Sequence, residues 1–267
     1  MKRSLSESEL LRLADLNRTE FWCESARCVP NTEIVEQQDI VFINSSIDFP
    51  ACNFAFTMAL DAVEPPDEIL ARTKAFFINR KPAFSLLLRG HCDQAIIEHC
   101  KDKKIYLLHA APGMALDEPI KGKELPSAAE LRWVEDAERL RDFTEVVAEA
   151  FHDLGFPKEA TGSYFADTKR VLSPYNILAT VYLEGEPAGA AMAMLSHGIG
   201  GIYWVGTIKK ARGMGLAEYC TRQVGNAAFD LGARKVILQA SKFGEPVYRK
   251  MGYREITRYP WFICSSK

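Results

Sequence analysis

The segment 203–217, Tyr-Trp-Val-Gly-Thr-Ile-Lys-Lys-Ala-Arg-Gly-Met-Gly-Leu-Ala, restricts the chain to few folds. An apolar run of β type ends in a short basic stretch, and Gly213 and Gly215 then open a helical pattern. The next apolar run, Lys-Val-Ile-Leu-Gln-Ala-Ser at 235–241, completes a strand-helix-strand unit. The junction has its own physical reading. A helix amino terminus leaves backbone N–H groups unpaired and carries about half a positive charge, so it accepts phosphate oxygens. Gly213 and Gly215 remove the Cβ atoms that would hold a pyrophosphate away from those donors. Arg212, Lys209 and Lys210 add positive charge, although a solvated turn accounts for Lys209 equally well.

Two strands precede this unit, joined to each other and to its first strand by tight turns at Glu184-Gly185-Glu186-Pro187 and at 197–201, where His197 leads a glycine-rich stretch. Antiparallel strands followed by a strand-helix-strand unit predict a mixed, mostly antiparallel α/β sheet flanked by helices. The amino-terminal half has a similar order. The capping box Ser6-x-x-Glu9 opens a helix, β-rich runs follow at 32–36, 39–43 and 52–60, and Pro66 starts a second helix. Strand, helix and strand then run to about residue 110. Pro112-Gly113 and a polar stretch mark a linker at 116–128, between an α/β domain at 1–115 and a second domain at 129–267. The shared order raises an old duplication in tandem; an unrelated accessory domain is the alternative.

Composition narrows the partners. The 267 residues are 48% hydrophobic and 25% charged with a formal net charge of −2, which gives no overall basic surface for nucleic acid. No apolar run approaches the roughly 20 residues of a bilayer span, and the first residues lack the apolar centre of a signal peptide, so the expected compartment is the cytoplasm. The seven cysteines include no Cys-x-x-Cys pair, against a disulfide framework or zinc knuckle. His91-Cys92 and His99-Cys100 lie eight residues apart, about 12 Å along a helix, so buried thiols are expected there rather than a metal.

The residues Arg212-x-x-Gly215-x-Ala217, with Ser241-x-x-Gly244-x-x-x-Tyr248-x-x-x-Gly252-Tyr253 downstream, resemble the acetyl-CoA motif region of the GNAT superfamily of N-acetyltransferases. The resemblance extends by element order over about 130–265. It implies acetyl-CoA as co-substrate, with Arg212, Gly213, Met214, Gly215, Leu216 and Ala217 around its pyrophosphate. It further implies that the preceding strand splays from its neighbour, so that backbone atoms of Val205, Gly206 and Thr207 pair with the pantetheine arm. A bulge at Gly206 is compatible with that splay. Ser241 stands where the family often has asparagine, and Lys209 where it commonly has proline.

Acetyl transfer needs a neutral amine, a polarised thioester carbonyl and a proton for the departing thiolate. Tyr248 stands at the family's proton donor, with ring packing as its other use. For the general base, His197 and Glu245 are both candidates, beside a water chain. Cys220 is expected to pack rather than react. The resulting expectation is direct transfer of an acetyl group to a small-molecule or peptide amine, without a metal and with a homodimer left open. A competing expectation is an acyl-CoA sensor that binds without turnover. A triphosphate site is disfavoured because no Lys-Ser/Thr follows the glycines. In the amino-terminal half the corresponding turn, Asp61-Ala62-Val63-Glu64-Pro65, has neither glycine nor arginine and would repel a pyrophosphate.

Overall fold

The structure, a computed structural model, describes residues 5–59 and 64–267. Along the chain come α1 (Glu7–Arg27), β1 (Glu33–Glu36), β2 (Ile40–Asn44), β3 (Asn53–Thr57), α2 (Pro66–Phe77), β4 (Ala83–Leu87), α3 (Gln94–Asp102) and β5 (Tyr106–Leu116). They are followed by β6 (Ala129–Trp133), α4 (Ala137–His152), α5 (Lys158–Ser163), α6 (Thr168–Val171), β7 (Asn176–Leu183), β8 (Glu186–Ser196) and β9 (Ile199–Thr207). The last elements are α7 (Leu216–Asp230), β10 (Val236–Gln239), α8 (Glu245–Lys250) and β11 (Arg254–Ser265). Residues 61–63 of the acidic turn lie outside the described residues.

The chain forms two compact units, and both are discontinuous. Unit 1 comprises 1–28 with 114–254, and unit 2 comprises 29–113 with 255–267. The two contiguous halves expected from the sequence therefore differ from the observed units at both ends. Helix α1 belongs to the later unit because its polar face is matched there. Asn17 donates to Met194 O at 3.2 Å and to Ser196 Oγ at 2.8 Å, and accepts from the Tyr203 hydroxyl at 2.7 Å. Phe21 stacks on Tyr203 with ring centroids 3.5 Å apart. The helix begins with the expected capping box, Ser6 Oγ accepting from Glu9 N and Glu9 accepting from Ser6 N.

In unit 1, β6 to β9 pair antiparallel in sequence and β9 pairs parallel with β10. Helices α4 and α7 cover opposite faces. A Cβ on Gly206 would lie 2.7 Å from Ala150 of α4, whereas one on Gly189, paired with the adjacent Thr207, would lie 3.0 Å from Leu216 of α7. The turns at Glu184-Gly185 and His197-Gly198 are two-residue hairpins with positive φ at both positions. The expected linker is pinned. Asn226 exchanges hydrogen bonds with the backbone of Ile120, and Arg222 donates to Lys123 O, so this polar stretch is strapped along α7.

In unit 2, β1, β2 and β3 form an antiparallel meander, β3 pairs parallel with β4, and β11 pairs antiparallel with β4. Its core includes Phe42, Phe77, Phe84, Ile96, Ile97, Cys100 and Phe262. Strand β5 runs through Pro112-Gly113, where the sequence reading had the strand end. Tyr259 sets this, since a Cβ on Gly113 would lie 2.6 Å from its ring. Cys100 is buried as expected, whereas Cys92 is half-exposed. His91 and His99 turn to Thr257 and Asp67.

Candidate active site

The site is built where the parallel pair β9 and β10 comes apart. Their register runs from Gly200↔Val236 to Ile202↔Leu238, but β9 continues through five further residues to Thr207. A bulge causes the change of course. On the β8 side Met192 pairs with Tyr203 and Ala190 with Gly206, so Ala191 faces two residues, Trp204 and Val205. Trp204 adopts φ +48°, an unfavourable backbone for a bulky residue. Its indole is fixed by Phe151, Phe165 and Tyr164, with centroids 5.0, 5.5 and 5.7 Å away. The expected bulge at Gly206 thus sits two residues earlier. At the ends of the two strands, Thr207 Oγ1 and Gln239 Nε2 are buried without a hydrogen-bond partner in the chain.

Beyond Thr207 the chain makes one 3-10 turn at Lys209–Ala211 and enters the loop to α7. Gly213 has φ +81°, and Gly215, the N-cap of α7, has φ +80°. The glycines therefore have a second use besides bareness, since this path needs left-handed backbone twice. A Cβ at either position would meet nothing within 4 Å, so the space before the helix is open. No side chain caps α7, which leaves its first N–H groups to an incoming acceptor. Leu216 is buried against β8, and Met214 is 41% exposed. Arg212 is committed elsewhere: Nη2 lies 2.6 Å from Asp153 Oδ2 at the end of α4. It braces the loop, and a phosphate would compete with Asp153 for it.

Tyr248 lies on α8 and is 9% exposed. Burial pushes its phenol up to about 12, partly offset by the neighbouring Thr221 side chain of α7. Gly244 permits this seating, because a Cβ there would come within 2.7 Å of the ring. Ser241 Oγ accepts from Gly244 N at 3.1 Å and so shapes the turn into α8.

The sequence profile of the acetyltransferase (GNAT) family matches residues 138–253, which spans β9, the glycine loop, α7 and α8. Residues 138–253 are a GNAT acetyltransferase domain. The solved structures agree in fold. A GCN5-related N-acetyltransferase from Kribbella flavida aligns with TM-score 0.65 at 18% identity, covering 90% of this chain and 93% of that one. One from Sphaerobacter thermophilus aligns with TM-score 0.63 at 15% identity, covering 99% and 95%. A tandem GNAT protein from the clavulanic acid biosynthesis pathway aligns with TM-score 0.58 at 11% identity, covering 95% and 88%. No curated protein matches the sequence. The chemistry that belongs to the GNAT domain is acyl transfer.

Within this domain the structure brings together Val205, Gly206, Thr207, Gly213, Gly215 and the amino end of α7 at the open end of the β9–β10 pair, with the turn at Ser241 leaving the same edge. It does not bring His197 there. His197 occupies the other end of β9, about 30 Å away at 3.3 Å per residue, where its φ of +52° makes the hairpin and its Nε2 lies 2.6 Å from Glu20. It is a residue of the hairpin turn. Glu245 is ion-paired with Arg249 of the next helical turn, at 2.7 Å. Sequence reasoning missed Asp153, Thr221 and Trp204, none of which stands in a motif. Among the described residues, no three His, Cys, Asp or Glu side chains gather as a metal site, and no helix is long and apolar enough to cross a membrane.

Proposed function

We propose that unit 1 moves an acetyl group from acetyl-CoA to a primary amine by direct transfer. The observation that carries this reading is the splayed strand pair ending in an uncapped helix behind two left-handed glycines. The groups present suit the co-substrate. The backbone of Val205, Gly206 and Thr207 beyond the last β10 pair, with the unpartnered Thr207 Oγ1 and Gln239 Nε2, offers partners to pantetheine amides, and the α7 amides offer donors to the pyrophosphate. Met214, Leu216 and Ala217 hold the loop by backbone and packing, and Ser241 retains a donor for the same ligand.

In this reading the amine nitrogen attacks the thioester carbon, the C–S bond breaks, and Tyr248 gives its phenolic proton to the departing sulfur. The proton lost by the amine passes to water, since Glu245 is engaged with Arg249. A donor near 12 looks too weak for a thiolate in water, but a thiolate that leaves water is itself made more basic, which brings the two closer. Unit 2 is read as a GNAT-like unit without a cofactor slot. The test is calorimetry with acetyl-CoA, followed by thiol-release assays over a panel of amines. Binding followed by amine-dependent thiol release is expected; tight binding with no release from any amine would favour a sensor instead.

A further inference from the structure

Phe243 is 74% exposed, more than any other large hydrophobic side chain among the described residues. An aromatic ring left in water on a short turn is unusual, because ring burial is worth more than that of most side chains. Its place in the fold is specific. The turn 241–244 follows β10, and the loop with Gly213 and Gly215 follows β9. Because β9 and β10 are parallel neighbours, both loops leave the same edge of the sheet, from strands about 4.8 Å apart before they splay. The other exposed hydrophobic side chain on this edge, Met214, lies between the two glycines. Lys209, Lys210 and Lys242, all exposed, surround these two side chains in sequence. The edge thus combines two apolar side chains with a cationic surround, which suits a flat heteroaromatic ring bearing phosphates.

Taking the acetyl-CoA reading as its basis, we propose that Phe243 is a stacking platform for the adenine ring of the coenzyme, with Met214 as the facing apolar contact. The adenine lies one ribose beyond the pyrophosphate, and the turn that carries Phe243 follows the strand next to the one that leads to the α7 amides. The ring then loses its exposure on binding, and the adenosine end contributes affinity without touching the reacting thioester.

The test compares two thioesters, acetyl-CoA and S-acetyl-4′-phosphopantetheine, which lacks the adenosine part. Dissociation constants are measured by calorimetry for wild type, Phe243→Ala and Phe243→Trp, with thermal melts to confirm folding. Phe243→Ala is expected to weaken acetyl-CoA about tenfold and leave the truncated thioester within twofold, as loss of a base–aromatic stack requires. Phe243→Trp should keep the affinity and show an indole emission change with acetyl-CoA only. Equal affinity of Phe243→Ala and wild type for acetyl-CoA, or an equal loss for both thioesters, would overturn the platform while leaving the parent reading intact. Wild type binding neither thioester would overturn both.

Discussion

The two units each contain a parallel strand pair joined through a helix, β9–α7–β10 and β3–α2–β4, and the pairs end in opposite ways. In unit 1, β9 runs five residues past its last partner and opens into a glycine loop. In unit 2, β3 stops one residue past its last partner, Phe56↔Leu87. The gap beyond is filled by a buried ion pair. Arg89 lies 2.8 Å from Asp93 and donates to Ala59 O at 2.6 Å, while Thr57 donates to Asp93. What remains beside it is a cavity of about 40 Å³, room for little more than a water molecule. One arrangement leaves backbone groups for a ligand; the other satisfies them with side chains. A slot for an extended ligand thus depends on what the last two or three residues of each strand bond to.

The most severe break of this contrast is expected from Asp93→Ala, which strands Arg89 as an uncompensated buried charge. It should cost about 3–5 kcal/mol in urea unfolding, with acetyl-CoA affinity in the surviving folded protein unchanged. A stability loss below about 1 kcal/mol would show that the pair does not close the slot. Next comes Tyr248→Phe in unit 1, expected to lower kcat roughly ten- to a thousandfold with the acetyl-CoA Kd nearly constant. Wild-type turnover would remove Tyr248 from the mechanism. Gly215→Val should raise the acetyl-CoA Kd at least roughly tenfold, about 1.4 kcal/mol, whereas Gly215→Asn, which tolerates left-handed backbone, should lose less. Equal losses would mean that bareness, not backbone path, is what the loop supplies.

The smallest effect is a pH dependence of stability at the alkaline end. Burial raises the phenols of Tyr182 and Tyr248 to about 12 and those of Tyr203 and Tyr253 further. Unfolded tyrosine titrates near 10, so the folded form keeps protons that the unfolded form loses. This stability is whole below about pH 10 and falls as pH rises towards 12. Thermal melts at pH 8 to 11 should show loss in both units, because burial also raises the unit 2 thiols of Cys100 to about 11 and Cys264 to about 12, above the unfolded thiol range. Stability that stays flat up to pH 11 would contradict the burial of these groups.

Much of this was readable from residues. The element order, both hairpin turns, the capping box and the glycine loop follow from local patterns, and local patterns are what a sequence displays. The position of α1 and β11 was not readable, because Asn17 meets Met194 across 177 residues and no periodicity encodes such a partner. The place of His197 was hidden for a related reason: its residue type shows in the sequence, but the strand length between it and the glycine loop does not. The bulge at Trp204 was also hidden, since sequence points to glycine for positive φ and here an aromatic cluster holds a tryptophan in that state.

The discontinuity of the units has a consequence for a chain made from one end to the other. As residues leave the ribosome, α1 is complete early, yet the strands it docks on arrive more than 150 residues later. Unit 2 then waits for β11, the final strand, before β4 gains its antiparallel neighbour. Each unit holds an unfinished edge during most of synthesis, and closing such long loops late favours slow folding. The nascent chain therefore carries exposed apolar edges through most of its length, the condition under which a chaperone has something to hold.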